Sequence, residues 1–214
     1  MKKQDFLDEK IIKIIDQAET ADFATSAPSD NKASQTEAKT IYTGLKIAGQ
    51  WVEFEERQFI DNMLAMMVPT EFTELDQESA KIKYPMEQRP KTILTDPSGT
   101  TNILFSHMDE PMTNEDAEFV RDRLFRIMQR VNPGIKPQLT GIEVISEKNV
   151  AYMEFSNLAI DGKVYNLMFF LELDGKTLMG SFNCLTKSIK YWKAPAYEMM
   201  RSIKILPSKE ECKE

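Results

Sequence analysis

His107 is the only histidine of the chain and stands in the run Phe105-Ser106-His107-Met108-Asp109. A base that titrates near neutrality between a hydroxyl and a carboxylate could serve nucleophilic or acid–base hydrolysis. Neighbours on a strand point to opposite faces, however, so Ser106 and His107 cannot meet there as nucleophile and base. The expectation is a hydrogen-bonded structural histidine, with an enzyme using His107 as the alternative. Two cysteines sit in opposite settings, Cys184 in an apolar run and Cys212 in a charged tail. Free thiols are expected, with neither a disulfide framework nor a structural zinc site. Asp109-Glu110 leads into Pro111, and Glu115-Asp116 fits the first turn of a helix, where carboxylates serve as caps. No D-x-D-x-D-G calcium loop is present, and the eight glycines form neither G-x-x-x-x-G-K-[ST] nor G-x-G-x-x-G. No catalytic residue, cofactor or metal ligand is expected, and the chain reads as a non-enzyme.

Binding residues stand out more clearly. Arg123, Arg126 and Arg130 share one helical stripe and could hold an acidic partner through bidentate pairs. The plainer reading is a solvated face paired with Glu118 or Asp122. Lys187-Ser188-Ile189-Lys190-Tyr191-Trp192-Lys193 superficially matches a single-strand nucleic-acid surface. Against it, 27 basic residues face 34 acidic ones, a net charge of −7, and Trp192 falls on an apolar helix face; phosphate-backbone binding needs a cationic surface, so no nucleic acid is expected. Thirteen methionines, among them Met63, Met66, Met67, Met108, Met112, Met199 and Met200, suit adaptable binding surfaces as well as core filling. Near the N-terminus, Leu7, Ile11, Ile14, Ile15 and Ala18 recur on one face of a short amphipathic helix, Phe6–Ala18. Its other positions mix Asp8, Glu9, Lys10, Lys13 and Asp16, which does not suit anionic lipid. A protein partner, a second copy or the chain's own sheet must cover that apolar face.

The elements that position these residues come from an ordinary globular composition, 214 residues with 42% hydrophobic and 29% charged. No window approaches 18 consecutive apolar residues and the first 30 positions lack an apolar signal core, so a cytoplasmic protein without membrane insertion is expected. Three parts follow: 1–38, the amphipathic helix and a polar linker; 39–207, the folded domain; 208–214, a charged tail. In the domain, Thr40–Ile47 and Trp51–Phe59 read as a hairpin about Ala48-Gly49-Gln50, and Asn62–Val68 as a strand ended by Pro69. A short polar helix is expected near Asp76–Lys83, then a hairpin of Lys91–Thr95 and Thr101–Met108 about Asp96-Pro97-Ser98-Gly99. Thr113 to Asp116 resembles a capping box opening a helix in which Val120, Leu124, Ile127, Met128 and Val131 recur, until Asn132-Pro133-Gly134 stops it. Four strands, near Ile142–Ser146, Ala151–Leu158, Lys163–Leu173 and Thr177–Cys184, form a meander with turns at Asp161-Gly162 and Asp174-Gly175. In the third, Tyr165, Leu167, Phe169 and Leu171 oppose Val164, Met168 and Phe170, so both sheet faces require cover. Helices at 113–131 and 189–203 are available, the second with Pro195 either beginning or kinking it. The expected class is α+β, an antiparallel meander with helices on both faces in a three-layer sandwich.

This order of elements resembles the PsbP-like fold, shared by photosystem extrinsic subunits, Ran-binding Mog-type proteins and many bacterial proteins. The residues that carry it are Met63–Val68 before Pro69, Tyr84-Pro85 with Arg89-Pro90, Asn102–Ser106, and Tyr191-Trp192 with Met200-Arg201-Ser202-Ile203. The resemblance spans about residues 40–206. It implies a non-enzymatic binding or assembly protein, since some bacterial relatives act as secretion chaperones or cell-envelope lipoproteins; no family site residue carries across. The expected function is a cytoplasmic protein-binding or adaptor domain that engages a protein partner or itself. The alternative is a chaperone shielding an apolar helix of a client.

Overall fold

The computed structural model describes residues 39–84, 89–159 and 162–207, all within one unit, Ala38–Glu214. The chain enters through a small two-stranded sheet, β1 (Leu45–Ile47) and β2 (Gln50–Val52), with Ile47 opposite Gln50. Ala48 and Gly49 both take positive φ, 51° and 91°, as a two-residue turn matched to strand twist requires. The single strand expected over Trp51–Phe59 is instead divided. At Glu53 the chain changes partner, its carbonyl accepting the Thr70 N–H at 2.9 Å, and β3 (Phe54–Phe59) then pairs with β4 (Leu64–Pro69). Period-two alternation continues through Glu53 unbroken, so the switch leaves no mark in the sequence. Residues 40–43 also differ from expectation, forming a turn closed by the Thr43 N–H on the Thr40 carbonyl. β12 (Lys204–Ile205) completes a three-stranded sheet in the order β12-β4-β3.

The larger sheet has seven strands, all neighbours antiparallel. They are β5 (Thr73–Glu74), β6 (Thr92–Thr95), β7 (Thr101–Pro111), β8 (Lys136–Ile145), β9 (Lys148–Ala159), β10 (Gly162–Leu173) and β11 (Lys176–Leu185), in the order β5-β6-β7-β11-β10-β9-β8. The meander is therefore present. β8 begins six residues before the expected Ile142, because an edge strand tolerates Pro137. Asp174 and Gly175 make the predicted tight turn, with φ of 53° and 71°. The expected turn residue Asp161 lies outside the described residues.

β10 divides the core. Tyr165, Leu167, Phe169 and Leu171 pack with Leu64, Met66 and Val68 of β4, and with Trp192, Ala196 and Met199 of α3 (Ile189–Arg201). Met168 and Phe170 pack the other way, with Met153, Phe155 and the Ala117 and Val120 side chains of α2 (Ala117–Val131). α1 (Gln77–Lys83), capped by the Asp76 carboxylate, lays Ala80 over Ile93 and Leu104. These are antiparallel sheets with three helices among the described residues. Pro195 lies inside α3, so it does not begin that helix. On α2 the expected apolar face is only partly buried: Ile127 is 47% exposed and Val131 76%. The face shifts toward Phe125, whose ring meets Phe155 with centroids 6.1 Å apart.

Gly180 stands opposite Phe169 in the β10–β11 ladder, and a methyl group there would overlap the Phe169 ring. Gly180→Ala is expected to destabilise by about 1–3 kcal/mol through overpacking, read from urea denaturation. Arg201 donates from Nε and Nη2 to Glu143, each at 2.7 Å, which holds that carboxyl below its ordinary value of 4.5. A depressed carboxyl stabilises fully above its unfolded value, and that share is lost as pH falls through the folded one. Glu143→Gln is expected to lose stability at neutral pH and to weaken the further loss below pH 4.5, read from urea midpoints across pH.

Candidate functional site

Unequal strand lengths create the main concavity. β7 runs to Pro111, but β6 pairs with it only from Thr95↔Asn102 to Thr92↔Phe105. Pro90, just before β6, has no N–H with which to continue a ladder. Beyond Phe105 this edge of β7 has no strand partner among the described residues. A groove of about 1310 Å³ opens there between α1 and α2. Met108, Met128, Met168 and Met179 line it with Leu124 and Ile127. Unbranched thioether side chains adapt to differently shaped apolar groups.

The rim is charged. Arg123 donates from Nη2 to Glu110 at 2.5 Å, and Lys176 from Nζ to Asp109 at 2.9 Å. The Lys176 ammonium, through that hydrogen bond and its charge, holds the Asp109 carboxyl below its usual range. Arg89 donates to the Tyr84 carbonyl at 3.1 Å, and Lys81 and Lys91 also line the groove. His107 borders it too, with Nε2 at 2.9 Å from the Leu173 carbonyl. In the ladder, His107 faces Leu178 while Ser106 faces Met179, so the two side chains take opposite sides of the sheet.

Of the arginine stripe, Arg123 lines the groove, whereas Arg126 and Arg130 are exposed farther along α2. Glu118 and Asp122, the partners considered for that stripe, both pair with Arg121. Arg121 is 6% exposed and also donates to the Gly141 carbonyl at 2.9 Å, covering part of the β8 edge. Leu7, Ile11, Ile14 and Ile15 fall outside the described residues. The Lys187–Lys193 segment does not present its aromatics together: Trp192 is buried between Phe72 and Phe182, at 5.9 and 5.7 Å, and Tyr191 is exposed.

Sequence patterning did not single out Glu154, which is 2% exposed beneath α3. Its carboxylate accepts from Tyr197 Oη at 2.6 Å and Lys193 Nζ at 2.9 Å, so both oxygens are engaged. Burial and the adjacent Glu154 carboxylate push the Tyr197 phenol above its ordinary value. Nearby Cys184 is a buried free thiol whose pKa burial pushes up to about 12, which keeps it protonated and unreactive at neutral pH. The one available signal was a carboxylate between Met153 and Phe155 in an otherwise apolar strand run. Among the described residues, no group of three His, Cys, Asp or Glu side chains could hold a metal ion. No helix there is long and apolar enough to cross a membrane.

The domain has a PsbP-like fold. Its structure is similar to that of cyanobacterial PsbP from Synechocystis sp. PCC 6803, with TM-score 0.53 and 13% identity over 72% of this chain and 92% of that one. A Bacteroides thetaiotaomicron protein matches with TM-score 0.46 and 13% identity over 72% of this chain and 49% of that one. LpqN of Mycobacterium tuberculosis, involved in cell envelope biogenesis, matches with TM-score 0.46 and 10% identity over 80% of this chain and 99% of that one. No protein-family model and no curated protein matches the chain. At these identities the likeness concerns the fold alone.

Tyr197→Phe would leave one oxygen of the buried Glu154 carboxylate without its donor. The expected loss is about 1–3 kcal/mol in urea denaturation, with the fold retained by circular dichroism.

Proposed function

We propose that the chain is a non-enzymatic, cytoplasmic protein-binding or adaptor domain, and that the groove between α1 and α2 receives its partner. The observation that carries this reading is the methionine-lined floor beside Ile127, an apolar side chain left 47% exposed next to the partly buried Leu124 and Met128. Exposed apolar surface rimmed by charge is the usual character of a protein-binding site. The rim is built from paired charges, which set orientation and specificity more than raw affinity. His107 is read as structural, with Nε2 at the Leu173 carbonyl supporting that role. The two apolar faces of β10 support a three-layer arrangement of the domain, with α2 and α3 on opposite sides. A chaperone that shields an apolar segment of a client is the second reading, favoured by the same adaptable methionines. The amphipathic segment read from Leu7, Ile11, Ile14 and Ile15 is proposed as a further contact to a partner or a second copy.

The test compares the full chain, Ile127→Asp and a variant lacking residues 1–38 in affinity capture from native lysate, with mass spectrometry and light scattering. A charge in the groove is expected to abolish capture of a protein that the full chain retains, while the melting curve stays close to that of the parent. Loss on deleting 1–38 would assign part of the contact to the N-terminal segment. Identical capture by all three would remove the groove from the function.

A further inference from the structure

Resting on that reading, we propose that the groove takes its partner as an extended strand, added edge-on to Ser106–Glu110 of β7, and that the partner segment alternates apolar and acidic residues. The first observation is the lining itself. Ser106, His107, Met108, Asp109 and Glu110 all border the groove. Successive strand residues point to opposite faces, so a cavity lying over one face meets every second residue. Ser106 and His107 take opposite faces and both border the groove, so it meets the strand along its hydrogen-bonding edge.

Among the described residues that edge has no strand partner. β6 pairs only as far as Phe105, while on the opposite edge β11 pairs at His107↔Leu178 and Lys176↔Pro111, with a bulge in β7 between them. Five residues of extended backbone span about 17 Å, enough for a short peptide strand. An unpaired edge is a template for main-chain pairing unless the fold blocks it. The carboxylates on this stretch do not block it, since Asp109 is drawn to Lys176 on β11 and Glu110 to Arg123 on α2.

Side-chain chemistry sets the pattern. On the α2 side, alternate residues of an added strand would meet Leu124, Ile127, Met128 and Met179. Lys81, Arg89 and Lys91 at the groove have no ion-pair partner among the described residues. Glu74 is the one lining carboxylate also without such a partner there. This local cationic excess in a chain of net charge −7 selects acidic residues between the apolar ones. Long-chain cations beside an apolar floor accommodate that alternation, and main-chain bonds supply affinity independent of sequence.

The probe is a fluorescein-labelled hexapeptide of alternating Val and Glu, compared with alternating Val and Lys, on the full chain. Fluorescence anisotropy is expected to show the acidic peptide binding at least roughly tenfold more tightly, and Lys91→Glu with Lys81→Glu reducing that preference by about tenfold. Hydrogen exchange of amides within 106–110 is expected to slow on binding, which contacts through side chains alone would not produce. Ile127→Asp is expected to abolish binding. If the acidic peptide binds, Ile127→Asp abolishes it and the 106–110 amides exchange unchanged, strand addition is wrong while the groove keeps its partner role. Absence of binding by the acidic peptide at about 1 mM, or equal binding of both peptides, overturns the inference. Failure of the broader reading shows separately, as lysate capture indifferent to Ile127→Asp.

Discussion

β10 is apolar on both sides of its pleat, and that single strand obliges the rest of the domain to assemble around it. Tyr165, Leu167, Phe169 and Leu171 need one cover, Met168 and Phe170 another, and neither set can be left against water. The chain meets the first need with α3 and the β12-β4-β3 sheet, the second with α2. Burying an aliphatic or aromatic side chain of this size is worth about 1.5–3 kcal/mol, so the two clusters outweigh any single polar contact on the surface.

Covering a seven-stranded sheet with short helices leaves part of it bare, and the bare part has a definite place. α1 covers Ile93 and Leu104, and α2 covers Met153 and Met168; between them lies the stretch of β7 that β6 is too short to reach. The groove therefore follows from a mismatch of strand lengths, eleven residues in β7 against four in β6. Methionine is well suited to such a place. Its flexible thioether chain can fill the space partly alone and rearrange around an occupant at little cost.

The two charged side chains buried against the helices are both paired. Glu154, under α3, has both oxygens engaged, and Arg121, under α2, spends its donors on Gly141, Asp122 and Glu118. A buried ion left alone would cost several kcal/mol, so these pairings are conditions of folding and are not free to recruit a ligand. Lys81 and Lys91, exposed beside the apolar groove, face no such condition.

Local patterning determined much of the architecture. Alternation in 163–173 forecast a strand buried on both faces, Asp174-Gly175 a tight turn, and Thr113 to Asp116 the opening of a helix, because each depends on a few adjacent residues. The sequence also marked Arg123, Met108 and His107, which border the groove. It could not show that they meet Met179 and Ile127 there, since that depends on the pairing of β7 with β11 across some 70 residues. The chain's change of sheet at Glu53 was likewise invisible: the alternation is the same whichever strand lies beside it. Arg121 and Arg126 have the same side chain on the same helix, and only the tertiary structure set one against the Gly141 carbonyl and the other in water. Periodicity states which residues need burial; the lengths and partners of distant strands decide where burial is incomplete.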